Sequence, residues 1–203
     1  MGPGVHVGLY LPNSPHYPIA FFGVLKAGGT VVNYSPLDAA RVLEHKVEDS
    51  QTDILVTLDL AALYPQVGRL VGHSRLRRMV VGSLGEFSAH PQAVRSQLEG
   101  AGQLSKTPAD DMHVSFEQLL ANDGQYRNHA IADLTQANVV LQYTGGTTGL
   151  PKGAMLTHRN MIANMLQVKH WFGPTVKEGE EIIITALPLY HIFALTCNCL
   201  VFM

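Results

Sequence analysis

The chain has 203 residues, 46% of them apolar, which is enough to bury a sizeable core and too apolar for a disordered segment. Its 14 Lys and Arg stand against 16 Asp and Glu, a balance that offers no broad attraction to nucleic acid or anionic lipid, so any anion site must be local. Cys197 and Cys199 lie in apolar sequence with no second pair to complete a metal site, and they read as small buried thiols of a reducing, cytoplasmic setting.

The first apolar run, "IAFFGVL", is short and no Lys or Arg precedes Lys26, so no secretory signal is expected. "MGPGVH" places His6 where myristoylation requires Ser or Thr. Val5, Val7, Leu9 and Leu11 alternate as in a strand. Pro15 and Pro18 then suit the first turn of a helix running to about Ala27, where their missing amide hydrogens cost least, and Gly28 and Gly29 end it. "TVVNY" is a second strand. The spacing predicts a helix in 35–50, with Ser35 as cap, Pro36 in the first helical position and Leu37, Ala40, Leu43 and Val47 on one stripe.

"DILVTL" is a third strand, 60–71 a helix and "RMVVGS" a fourth strand, so strand and helix alternate at the spacing of βαβ crossovers. This predicts an α/β fold with a largely parallel sheet flanked by helices. Arg75, Arg77 and Arg78 read as a solvated strand edge rather than a phosphate patch. From 84 to 111 the pattern lapses into a surface excursion, and "SFEQLLAN" is a short helix. "NVVLQY" is the next strand, and a helix from Arg159 to Phe172 follows with Ile162, Met165 and Leu166 inward, Thr157 as its cap and His158 near its start.

No formally charged residue occurs between Ile182 and Met203, a length that could span a bilayer. Pro188, Tyr190, His191 and Asn198 interrupt the run, and "IIIT" is β-branched, so a buried strand, a loop and a core helix account for it better.

Between the strand "NVVLQY" and the last long helix lies "TGGTTGLPKG". A polyphosphate needs many donors converging on it, and consecutive backbone amides in tight turns make such a nest. Gly145, Gly146 and Gly149 can take positive φ there; Thr144, Thr147 and Thr148 add hydroxyls able to hold phosphate or a magnesium ion; Lys152 adds a point charge. Pro151 before Lys152 and Gly153 after it exclude the Gly-Lys-Ser/Thr phosphate loop, and no Gly-x-Gly-x-x-Gly follows a strand.

"YTGGTTGLPKG" resembles the signature loop of the AMP-forming adenylating enzymes, the superfamily of acyl-CoA synthetases, luciferase and peptide synthetase adenylation domains. "LPNSPHYPIAFFGVLKAGGTVVNYSPL" and "ALPLYHIFAL" extend the likeness, and the wording around the loop is most similar to bacterial long-chain fatty-acid CoA ligases. The resemblance implies that residues 1–203 are part of the large N-terminal domain of an adenylate-forming enzyme. It implies ATP-dependent activation of a fatty acid to an acyl-adenylate with release of pyrophosphate, then thioester formation with coenzyme A. ATP, Mg2+ and coenzyme A are the implied cofactors. The implied setting is cytoplasmic, with peripheral inner-membrane association of the longer enzyme as a variant, and no oligomeric state is implied.

Carried over by motif, Thr144, Gly145, Gly146, Thr147, Thr148 and Gly149 would embrace the β- and γ-phosphates, Thr148 would meet the metal, and Lys152 would neutralise the leaving pyrophosphate. Thr148, Lys152 and His191 are the implied catalytic residues, with Tyr190, His191 and Phe193 beside the acyl group. The family's segments for adenine, ribose and the adenylation lysine do not occur, so the chain reads as an N-terminal fragment, clipped at its start as well and inactive alone. A catalytically inactive nucleotide-binding or interaction module, and a ligase for an aryl or amino acid carboxylate, are the alternative readings.

Overall fold

The computed structural model describes residues 2–145 and 149–202, and its frame is a seven-stranded sheet in the order β5-β4-β3-β1-β2-β6-β7. The strands are β1 (His6–Leu9), β2 (Thr30–Asn33), β3 (Thr52–Leu58), β4 (Arg78–Gly82), β5 (His113–Ser115), β6 (Asn138–Thr144) and β7 (Lys152–Thr157). All neighbouring pairs are parallel except β6 and β7, which are antiparallel. The expected α/β architecture is therefore present. The chain steps from β1 to β2 on one side and then crosses back to β3 on the other, which makes β1 the point where the winding reverses.

Helix α1 (His16–Lys26) packs on β1 and β2 through Tyr17, Phe21 and Val24, and α2 (Ala40–Asp49) lies on β3 through Leu43 and Val47. Each such side chain stabilises the fold by about 1.5–3 kcal/mol relative to exposure. The helices α3 (Tyr64–Gly68), α4 (Pro91–Gly100), α5 (Phe116–Leu120), α6 (His158–Phe172) and α7 (Ile192–Ala194) complete the layers, and α7 runs into a π-helical turn, Leu195–Leu200.

Several expectations are corrected. The second helix starts at Ala40 rather than at Pro36, because Ser35 and Asp38 close a turn of their own: Asp38 N donates to Ser35 O at 3.0 Å, and Ser35 N donates to Asp38 Oδ2 at 3.1 Å. Leu37 is consequently 87% exposed and is no part of the buried stripe. Helix α3 is shorter than 60–71, since Leu60 is drawn into a bridge with Leu104 and Ala61 N donates to Gln103 O.

The excursion at 84–111 contains α4, which buries no residue and so remains a surface element. Two strands escape the sequence pattern: β5, only three residues long, and β7, which turns the stretch before α6 back along β6. In α6 the inward residue is Met161; Ile162 and Leu166 are 41% and 54% exposed, because the helix meets β6, β7 and the 195–200 turn along one narrow face. Thr157 caps that helix as expected, in a reciprocal arrangement with Asn160.

The segment "IIIT" is not a buried strand. Ile182 and Ile184 are 95% and 86% exposed, and no described strand lies beside the segment to supply a ladder. The core helix expected after it is present, with Ala194, Leu195 and Cys199 buried. Neither cysteine forms a disulfide, and burial pushes the Cys199 thiol up to about 11. Among the described residues no helix is long and apolar enough to cross a membrane.

Candidate active site

In a parallel sheet, ligands sit beyond the carboxyl ends of the strands. At the ends of β2 and β6 the structure forms a cavity of about 200 Å³ that contains several residues singled out from sequence. Thr144, Gly145 and Pro151 from the two ends of the loop line it together with Tyr190 and His191. Lys152 opens β7 directly opposite Thr144, so both ends of the loop are held at strand spacing. Lys152 and Gly149 are exposed, and neither is among the residues lining the cavity. Gly146, Thr147 and Thr148, expected to hold phosphate and metal, lie outside the described residues.

Gly145 does not take the positive φ that glycine permits. A Cβ built at Gly145 or Gly149 would meet nothing within 4 Å among the described residues.

The remaining wall was not anticipated. Asn33 and Gln142 face each other in register across β2 and β6, 2% and 8% exposed, and Asn33 Nδ2 donates to Gln142 Oε1 at 2.9 Å. The Tyr17 hydroxyl donates to Asn33 Oδ1 at 2.8 Å, and Gln142 Nε2 donates to Tyr190 O at 3.2 Å. A buried relay thus runs from α1 through two strands to the Tyr190–His191 turn. The one signal in the sequence is a polar residue near the end of an otherwise apolar run, in "TVVNY" and in "NVVLQY".

Lys46, only 4% exposed, also lines the cavity. Its ammonium lies 2.5 Å from Asp38 Oδ2 and within 5.7 and 5.2 Å of the ring centres of Tyr34 and Tyr143, so a carboxylate and two π-faces replace its water. The Tyr143 hydroxyl donates to Asp49 Oδ2 at 2.5 Å, and burial followed by that carboxylate raises the phenol well above its ordinary range. Burial likewise pushes Tyr34 and Tyr10 up to about 12, so these phenols stay protonated donors.

His191 is exposed and caps α7, its Nδ1 accepting from Phe193 N at 3.3 Å. Phe193 is 55% exposed and is not among the residues lining the cavity. Among the described residues no group of three or more His, Cys, Asp or Glu could cage a metal ion. The donors at this end, Ser35, Asp38 and Thr144, are oxygens of the kind magnesium takes, and that ion ordinarily shares substrate phosphates and water rather than a full protein cage.

A larger cavity, about 740 Å³, lies at the ends of β3, β4 and β5 and holds none of the residues expected at the site. The end of the loop, the buried cation and the Tyr190–His191 turn converge on the smaller one.

A mostly parallel sheet whose last two strands are joined through a glycine- and threonine-rich sequence defines an α/β domain. The AMP-binding enzyme family model matches residues 1–203, and the chain belongs to that family. It is 40% identical over 202 residues to the long-chain-fatty-acid–CoA ligase of Escherichia coli O6:H1, which covers 98% of this chain and 36% of the relative. It is 33% identical over 204 residues to the enzyme of the same name from Bacillus subtilis, covering 95% and 34%. The crystal structure of a long-chain-fatty-acid-CoA ligase from Archaeoglobus fulgidus superposes with a TM-score of 0.66 at 25% identity, over 94% of this chain and 32% of that one. The chain thus spans about a third of the length of these relatives.

Proposed function

We propose that residues 1–203 supply the phosphate-gripping part of an AMP-forming ligase that joins a long-chain fatty acid to coenzyme A. The observation that carries this reading is the pairing of Thr144 with Lys152 across β6 and β7, beside the Tyr190–His191 turn. The names of the relatives support the class of substrate.

The physical task is to bring an anionic carboxylate to an anionic phosphate. A carboxylate oxygen bonds to the α-phosphorus of ATP, the bond from that phosphorus to the bridging oxygen breaks, and pyrophosphate leaves with the electron pair. The coenzyme A thiol then loses its proton, its sulfur bonds to the acyl carbon, and AMP leaves. In this reading Thr144 and Lys152, at the two ends of the loop, would hold the leaving pyrophosphate, and His191 and Tyr190 would serve the carboxylate. Preplaced donors of this kind are worth on the order of 2–4 kcal/mol each in the transition state. A magnesium ion, held by Thr148 and the phosphates, would supply further charge neutralisation.

The test is a chimera in which residues 1–203 replace the matching third of the Escherichia coli ligase. ATP–pyrophosphate exchange driven by a long-chain fatty acid is the expected result. Exchange driven only by aryl or amino acids would remove the substrate assignment, and nucleotide binding without exchange under any acid would leave the inactive module.

A further inference from the structure

Resting on that reading of the cavity, a second device is visible beside it. The segment 181–186 lies in no strand or helix, so its backbone groups have no ladder partner among the described residues. It is fastened by side chains instead. Asn13, in the turn between β1 and α1, donates through Nδ2 to Thr185 O at 3.0 Å and to Leu187 O at 2.9 Å, and its Oδ1 accepts from Leu189 N at 2.8 Å. A carboxamide carries two donor hydrogens and one acceptor oxygen, and all are used on one stretch of five residues.

A second fastening comes from the sheet. Gln142 Nε2 donates to Tyr190 O, while its Oε1 is occupied by Asn33 and Asn33 in turn by Tyr17. Between these two carboxamides the chain makes one closed turn, His191 N to Pro188 O at 2.9 Å, and Tyr190 and His191 line the same cavity as Thr144 and Gly145. Leu189 is 8% exposed and anchors the turn in the core.

We infer that Asn13 and Gln142 are positioning residues that set where Tyr190 and His191 stand against the phosphate loop, and hence how the acyl carboxylate is presented. The chemistry selects an amide at both places. Asp at 13 would retain the acceptor for Leu189 N but turn a negative charge on two carbonyl oxygens, and Glu at 142 would do the same to Tyr190 O. Asn13 is exposed, so its replacement leaves no buried group stranded on its own side chain.

The experiment has two arms. In the 203-residue chain, hydrogen exchange of the amides at 187–193 is compared between wild type, Asn13→Ala, Asn13→Asp and Gln142→Glu. Exchange at least tenfold faster in this stretch, with β1 to β4 unchanged, is the expected result for the Asn13 variants, and for Gln142→Glu an acceleration in this stretch at least tenfold beyond that of β1 to β4. Unchanged exchange in the Asn13 variants overturns the inference, and so does acceleration spread across the whole sheet, which would make these residues merely structural.

In the chimera, the variants are expected to raise KM for the fatty acid at least fivefold while KM for ATP holds. An equal effect on both constants overturns the positioning role. A chimera inactive with the wild-type sequence counts against the proposed function, while the exchange arm still decides whether the two carboxamides hold the turn.

Discussion

Asn33 and Gln142 stand opposite each other in register on β2 and β6, and their carboxamides meet at 2.9 Å in a region otherwise built of Val31, Val32, Val140 and Leu141. A buried polar group is tolerable only while its partners are present. Asn33→Leu strands Gln142 Oε1 and the Tyr17 hydroxyl, and the expected loss of stability is about 2–3 kcal/mol in urea unfolding. Adding Gln142→Leu to that variant should cost less than the sum of the single changes, because the second change removes one of the groups left without a partner.

Lys152 is exposed at the start of β7, so truncating it should leave the unfolding midpoint nearly unchanged. In the chimera, Lys152→Ala is expected to lower pyrophosphate exchange about tenfold or more, in keeping with the loss of one preplaced charge. Equal loss of stability and exchange would indicate a folding defect instead.

A third prediction concerns pH. His16 is fully buried between Phe87 and Phe116, with ring centres 4.8 and 4.9 Å away, and its Nε2 lies 2.9 Å from Glu86 Oε1 without making a hydrogen bond. Burial lowers it to about 4, against which the nearby Asp59 charge acts only partly. The unfolded chain therefore takes up this proton near pH 6.5 and the folded chain only near 4. The stabilisation is whole above 6.5 and declines as pH falls toward 4.

Asp59 and Glu86 act with the opposite sign, since burial raises both and the folded state binds their protons more readily. The clean comparison is therefore between wild type and His16→Gln. Between pH 7 and pH 5 the wild type should lose about 2 kcal/mol more than the variant, read from urea midpoints at the two values.

The fourth prediction follows from the same corner. A Cβ on Gly82, the last residue of β4, would lie 2.5 Å from the His16 ring and 3.2 Å from Leu58. The ring is enclosed and cannot withdraw, so Gly82→Ala is expected to lower stability by about 1–3 kcal/mol. Thermal unfolding followed by circular dichroism would measure it.

The central parallel strands were legible because their runs are long enough and β-branched enough to have one interpretation. β5 was not, since "HVS" has three residues and no period to detect. β7 was obscured by its own loop, although two extended runs joined through glycines are a hairpin signal. Ile182, Ile183 and Ile184 misled in the other direction: their propensity is that of a strand, but a strand also needs a neighbour, and no described one is offered. At the site, Thr144, Gly145, Tyr190 and His191 were recognisable from the motif and do share one cavity. Lys46 and Asp38 were hidden, because a lysine in an amphipathic helix ordinarily belongs to solvent, and only the fold shows it turned onto two tyrosine rings.

The antiparallel return of β7 places a parity condition on the loop. Side chains alternate faces along a strand, so Lys152 shares the face of Thr144 only while the hairpin keeps its register. Slipping β7 by one residue would send the ammonium to the far side of the sheet, whereas slipping it by two would restore the face at a new distance. Insertions and deletions in 145–151 that shift this register thus fall into odd and even classes with different consequences for the face on which Lys152 stands, a rule that substitution scanning alone would not reveal.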